Sequence, residues 1–215
     1  MSSSTTTATV FEIVVEAYLL GSIPFGYLLY RLRQGGDVRS IGSGNTGATN
    51  VLRGAGFAAG AATLALDGVK GYLAVALAGT LADHDPKWMS VAAVIAILGH
   101  MFPVFLKLRG GNGVATSFGA FLVIAPLPVL YAAGIFAIVV TLTRYVSLSS
   151  ILAVIAFPLL LYSVGGASIY ALAASVISAL LIVFRHRSNI QRLLAGQERR
   201  FGRSREVPHG GSAHS

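Results

Sequence analysis

Cysteine is absent from this chain of 215 residues. That excludes disulfides, thiolate metal sites and thioester intermediates carried on the protein. Charge is scarce too. Asp, Glu, Lys and Arg make up 11% of the residues and hydrophobic residues 54%, whereas a soluble chain carries about 25% charged residues. The composition excludes a water-soluble globule and describes a polytopic membrane protein. Acids are the scarcer charge, 8 against 16 basic residues. Few carboxylates are therefore free to build a Mg²⁺ site, which usually takes one or two of them. Residues 1–9 form a polar segment without Lys or Arg. A cleaved signal peptide needs a positive segment there, so the first span is expected to be retained.

What is present is a series of long apolar runs. A membrane crossing takes about 20 mostly apolar residues. Val10 to Leu32 qualifies, with Pro24 in its second half. Phe57 to Ala82 is too long and holds Asp67 and Lys70. A charge at the bilayer centre costs ~3 kcal/mol on insertion scales, which places this pair near the cytoplasmic end. Gly71 to Ala82 then crosses, and residues 54–66 form a shallow helix. Trp88 to Leu106 follows, with its tryptophan at an interface. Val114 to Leu142 would be about 43 Å long as one straight helix, but Pro126 and Pro128 interrupt it. Tyr145 to Val164 and Ala167 to Phe184 complete the set around Gly165-Gly166.

Arginine supplies 13 of the 16 basic residues. Arg31, Arg33, Arg39 and Arg53 follow the first span, Lys107 and Arg109 the third, and seven arginines lie between Arg185 and Arg205. The positive-inside rule puts the N-terminus outside and the C-terminus in the cytoplasm. That demands an odd number of crossings, so the Pro126–Pro128 break has to be a turn. The predicted fold is all-α: a membrane bundle of seven transmembrane helices, with five plus a re-entrant hairpin as the alternative. Residues 10–200 form a single membrane-embedded domain, and 201–215 a disordered basic and polar tail. Basic residues after a last span usually anchor to anionic lipid headgroups, so membrane lipid, not nucleic acid, is the expected partner of this charge.

The parity brings four polar segments to the cytoplasmic face. The first is Gly42-Ser43-Gly44-Asn45-Thr46-Gly47-Ala48-Thr49, followed by Asn50 and Arg53. Its glycines let the backbone approach an anion, the following helix start offers N–H groups, and Arg53 adds a planar cation. The letters also fit G-x-G-x-x-G, but that pattern needs a preceding strand and a βαβ unit, and a span precedes it here. The second runs from Gly99-His100 through Lys107, Arg109, Gly110, Gly111, Asn112 and Gly113 to Thr116. It is no Walker loop, because no Gly-Lys-Ser/Thr ends it. His100 suits a proton carrier or, as is usual for a lone His at a span end, a packing residue. The third, Arg144 to Ser150, contains Ser147; the fourth runs from Arg185 to Glu198. In it His186 and Asn189 are three apart and share a helix face. A transporter would carry its polar groups near the midplane, at broken helices. Clustering at one interface suits a ligand with an acyl tail in lipid and an anionic head in water.

Taken in order, these segments resemble the bacterial acyl-phosphate-dependent glycerol-3-phosphate acyltransferases, from about Leu20 to Arg200. The matching pieces are Gly21 to Tyr27, Gly42 to Arg53, Asp67 to Gly71, Gly99 to Ser117, Arg144 to Leu148 and His186 to Ile190. The resemblance implies a seven-span enzyme of the inner membrane with its site at the cytoplasmic face. It moves a fatty acyl group from acyl phosphate to the 1-hydroxyl of sn-glycerol 3-phosphate. The products are lysophosphatidic acid and phosphate, the first acylation of phospholipid synthesis. No cofactor and no metal are implied. Ser43, Asn50, Arg53, His186 and Asn189 carry over as catalytic positions. Gly44, Asn45, Ala48, Thr49, Lys107, Arg109, Gly111, Asn112, Gly113 and Ser147 carry over as substrate and phosphate positions. One position departs: the family's second motif usually reads Gly-Gly-Lys-Gly, and Asn112 stands at the lysine. Lys107 or Arg109 are the candidates to compensate, and a low-activity homologue is one alternative.

The chemistry fits this reading. Acyl phosphate is a mixed anhydride with a good leaving group, so holding two phosphates together and aligning a hydroxyl are the main demands. A substrate phosphate oxygen can accept the hydroxyl proton, which would explain the lack of a buried His–Asp pair. The H-x-x-x-x-D acyltransferase signature is missing: Met89 stands five after His84, and Phe105 five after His100. The rival reading is an anion carrier built on the same glycine loops.

Overall fold

The computed structural model describes residues 5–202. It is all-helical, with no strand among the described residues. The helices are α1 (Thr7–Ser22), α2 (Phe25–Gln34), α3 (Ala48–Ala55), α4 (Phe57–Leu81), α5 (Pro86–Met101), α6 (Val114–Ile124), α7 (Pro126–Thr143), α8 (Val146–Val164), α9 (Ile169–Arg185) and α10 (Arg187–Leu194). Among the described residues, five stretches are long and apolar enough to cross a membrane: α1 with α2, α4, α5 with the turn after it, α7 and α8. The pair α9–α10 makes a sixth when counted across its 58° bend, and α6 is a shorter apolar helix.

Helix boundaries follow local chemistry. Thr6 caps α1 by accepting from the Thr9 N–H. Pro24 cannot donate an N–H and splits the first run into α1 and α2. Asp85 caps α5 through the Lys87 N–H, with Pro86 in the first turn. Ala125, just before Pro126, leaves helical geometry at φ −149°, ψ 71°. The helix break expected at Pro126–Pro128 thus falls at Ala125–Pro126, and its halves are unequal, 11 and 18 residues. At about 1.5 Å per residue α6 is about 17 Å long, short of a ~30 Å hydrocarbon core. It packs chiefly against α4, and α7 against α8.

The α4–α6 seam rests on small residues. A Cβ on Gly71 would run into the Thr116 carbonyl, and one on Gly119 into the Gly68 carbonyl. Such close approach is how helices associate where lipid supplies no hydrophobic drive. The core gathers Ile13, Val75, Ile97, Met101, Phe121 and Ile182, all buried.

One expectation is corrected. No shallow helix at 54–66 is followed by a separate crossing from Gly71. Helix α4 runs unbroken over 25 residues, with α3 a distinct helix before Gly56. Asp67 and Lys70 lie well inside α4, not at its end. The charge is tolerated because the protein itself covers it. Lys70 Nζ lies 2.8 Å from Asp67 Oδ1, His100 Nδ1 lies 3.6 Å from the same oxygen, and all three side chains are buried. Lys70 Nζ also donates to the Ile23 carbonyl at 2.8 Å, an acceptor beside the Pro24 break.

Candidate functional site

A cavity of about 800 Å³ opens where the four polar segments meet, within the size range of ligand pockets. Ser43, Asn45, Ala48, Thr49 and Arg53 line it from the first segment, Asn112 and Gly113 from the second, Arg144 and Ser147 from the third, and His186, Asn189 and Glu198 from the fourth, with Arg199 directly after it. Phe57, Ala61 and Leu64 on α4 and Phe136 and Val140 on α7 add apolar lining.

The first loop is folded around Asn50, which is buried. Its Nδ2 donates to the carbonyls of Val38 (2.8 Å), Asn45 (2.9 Å) and Ile41 (3.2 Å), and its Oδ1 accepts from the Ser43 N–H at 3.0 Å. Both ends of the amide are engaged, and Asn50 is not among the described cavity-lining residues. Its place is behind the loop, shaping Ser43 and Asn45. Gly42 takes φ +58°, and a Cβ there would collide with the Asn50 amide. Gly44, at φ +72°, is exposed outside the wall. Helix α3 starts at Ala48 with no side-chain cap on Gly47, which leaves first-turn N–H groups for an anion.

The second loop is folded back on the end of α5. Gly110 N–H donates to Met101 O and Gly111 N–H to His100 O. Arg185 clamps it from α9, with Nε to Gly111 O and Nη2 to Gly110 O, each 3.2 Å. Gly111 lies against the His100 ring, where any Cβ would collide. Lys107 and Leu108 both adopt positive φ, 53° and 61°. That turn leaves Lys107 and Arg109 exposed, and neither is among the described lining residues. The structure thus does not bring these two cations to the cavity.

Asn112 does reach it. Its Nδ2 lies 3.1 Å from His186 Nε2, while His186 Nδ1 lies 2.8 Å from the Ile182 carbonyl. A carbonyl only accepts, so Nδ1 carries the proton and Nε2 receives the Asn112 amide. Burial pushes the imidazole below its ordinary value, against the raising effects of the Ile182 carbonyl and Glu198. His186 is therefore neutral near pH 7.

Glu198 organises the remaining wall. Its Oε1 accepts from Ser147 Oγ and Asn189 Nδ2, and its Oε2 from Arg192 Nε, each at 2.7 Å. Partial burial raises this carboxyl, but the three donors outweigh it and hold it below the usual carboxylate range. His186 stands at the 58° bend between α9 and α10, closing α9 and serving as the N-cap of α10, with Asn189 in the first turn that follows. Both still reach the cavity.

Sequence reasoning named none of Asp67, Glu198, Arg144 and Arg199 as a site residue and offered His100 only as a proton carrier or packing residue, yet all five line this cavity, and the buried Asp67–His100 contact overturns the expected lack of a buried His–Asp pair. The available signal was an acid–base pair three residues apart inside an apolar run.

The model of the family described as glycerol-3-phosphate acyltransferase matches residues 11–196. A Syntrophotalea carbinolica protein named glycerol-3-phosphate acyltransferase is 46% identical over 191 residues, 89% of this chain and 97% of its own length. One of the same name from a Synechococcus species is 49% identical over 186 residues, 86% of this chain and 92% of its own. Among solved structures, PlsY, an integral membrane glycerol 3-phosphate acyltransferase, is similar in its glycerol 3-phosphate form. The TM-score is 0.85 at 39% identity, covering 90% of this chain and 96% of that one. Its lysophosphatidic acid form gives 0.83 and 38%.

Proposed function

The chain belongs to the glycerol-3-phosphate acyltransferase family, and from that premise we propose how its cavity works. It is an integral membrane acyltransferase of phospholipid synthesis, and glycerol 3-phosphate is its acceptor. The donor is acyl phosphate and the acylated position the 1-hydroxyl. The product is lysophosphatidic acid.

The observation that carries this reading is the mixed lining of the cavity. Arg53, Arg144, Arg199, Asn189 and the α3 start share its wall with the apolar side chains of α4 and α7. An amphiphile with an anionic head suits such a lining. The cations and amides hold two phosphates against their repulsion and bring hydroxyl and carbonyl together. The hydroxyl oxygen attacks the acyl carbonyl, the carbonyl–phosphate bond breaks, and phosphate leaves with the hydroxyl proton on one of its oxygens. Backbone and amide donors stabilise the oxyanion. Ser43, Arg53, His186 and Asn189 touch substrate, and Asn50 positions Ser43 from behind. Seven crossings, counting α1–α2, α4, α5, α6, α7, α8 and α9, put the N-terminus outside and this cavity at the cytoplasmic face of the inner membrane.

Donor choice tests the proposal. Purified protein receives glycerol 3-phosphate with either palmitoyl phosphate or palmitoyl coenzyme A. Lysophosphatidic acid is expected from the first alone. Equal or better use of the thioester would overturn the acyl-phosphate assignment.

A further inference from the structure

Only two carboxylates line the cavity among the described residues, Asp67 and Glu198. Glu198 is engaged at both oxygens by Ser147, Asn189 and Arg192. Asp67 is different. Its Oδ1 faces Lys70 Nζ at 2.8 Å and His100 Nδ1 at 3.6 Å, yet its residue still forms part of the cavity wall. A buried ion pair is a poor source of stability, since desolvating both charges costs about what their attraction returns. A structural pair would also have no need to border a substrate chamber.

The surroundings hold this carboxylate in place. Lys70 is tethered to the Ile23 carbonyl. The His100 ring is backed by Gly111, and His100 O accepts from the Gly111 N–H. The same loop carries Asn112, whose amide meets His186. Asp67 is thus a fixed acceptor in the cavity wall, with its charge balanced by Lys70 so that it does not repel an anionic substrate.

We propose that Asp67 is a specificity-determining residue that accepts a hydrogen bond from the secondary hydroxyl of the glycerol backbone. The inference rests on the acyl-transfer reading above. A carboxylate accepts and does not donate, so its natural partner in a chamber built for phosphates is a neutral hydroxyl. Glycerol 3-phosphate has two hydroxyls. The primary one loses its proton as the ester forms, whereas the secondary one keeps its proton throughout. A fixed acceptor can therefore hold the secondary hydroxyl in both ground and transition states and turn the primary hydroxyl toward the acyl carbonyl. Asp67 is then a selector of the acceptor and of the position acylated, and the Lys70–His100 contacts are its positioning frame.

The test compares acceptors. Glycerol 3-phosphate, 3-hydroxypropyl phosphate, which lacks the secondary hydroxyl, and the 2-fluoro analogue, which keeps its size but cannot donate, are each given with palmitoyl phosphate. Unaltered protein should prefer glycerol 3-phosphate over both by about ten- to a hundredfold in kcat/KM, the range for a hydrogen bond to a charged group. Asp67→Asn should narrow that preference. The paired change Asp67→Leu with Lys70→Met, which removes both charges, should bring it close to one and release some 2-acyl product. A role in packing alone would lower all three acceptors together and leave their ratio unchanged, which overturns the proposal. Equal use of the three acceptors by unaltered protein overturns it without any variant. Turnover of none of them would instead count against the acyl-transfer reading.

Discussion

Asn112→Lys should raise acyl transfer about tenfold. Asn112 Nδ2 now donates to His186 Nε2 at 3.1 Å on the cavity wall. A lysine ammonium can donate to the same nitrogen and still offer protons to a substrate phosphate. The change replaces a neutral hydrogen bond, worth ~1 kcal/mol, by a charged one of ~1.5–3 kcal/mol. The difference of ~0.5–2 kcal/mol spans about two- to thirtyfold, with a tenfold gain inside that range. The cavity of about 800 Å³ has space for the longer side chain, so the melting temperature should hold. If the contact is equal in ground and transition states, the gain appears in KM; if it grows with the leaving phosphate, it appears in kcat. Compensation by Lys107 or Arg109 is disfavoured, because both stand exposed away from the described lining. Lys107→Ala and Arg109→Ala should therefore leave the Asn112→Lys gain intact. An unchanged or lower kcat/KM for Asn112→Lys, at an unchanged melting temperature, would refute the reasoning.

Arg53→Ala should cut kcat/KM by about ten- to a hundredfold, the loss of one charge-assisted bond to phosphate, while circular dichroism stays that of a folded helical bundle. Asn50→Ala should lower both activity and melting temperature, since it frees three carbonyls and the Ser43 N–H; a fall in activity alone would return Asn50 to the substrate-contacting set. Glu198 has a folded value below the ordinary ~4.3 of a glutamate. Its stabilisation is present above that ordinary value and is lost as pH falls through the folded one. The gap in melting temperature between native protein and Glu198→Gln should therefore close below about pH 4, and a gap that widens there is the opposite result. Chelation should leave turnover unchanged, because Glu198 and Asp67 already face Arg192 and Lys70; restoration of chelated enzyme by Mg²⁺ would count against that.

The apolar runs made the spans readable, because hydropathy over about 20 residues reflects a bulk solvent preference. The break before Pro126 was readable because proline restricts its predecessor. The glycine loops announced the site through the backbone conformations they permit. Other features were set by packing between distant segments. Asp67 and Lys70 were placed at a helix end because a charge in lipid is costly, yet His100 from α5 and the Ile23 carbonyl just after α1 cover them inside the protein. Asn50 looked like a ligand because its three carbonyl partners are themselves parts of the loop fold. Lys107 and Arg109 looked like phosphate cations because sequence distance to Asn112 is short, and two successive positive-φ residues redirect the chain. The spacing of His186 and Asn189 was readable as one helix start, whereas the 58° bend at His186 was not.

The central claim is one-step acyl transfer from acyl phosphate to glycerol 3-phosphate. Phosphorus NMR on the purified protein with both substrates tests it most directly. The account requires inorganic phosphate and 1-acyl-glycerol 3-phosphate to rise together, one for one, with neither formed when either substrate is withheld. Phosphate released without glycerol 3-phosphate, or labelled anion moved across proteoliposomes with no ester formed, would contradict it.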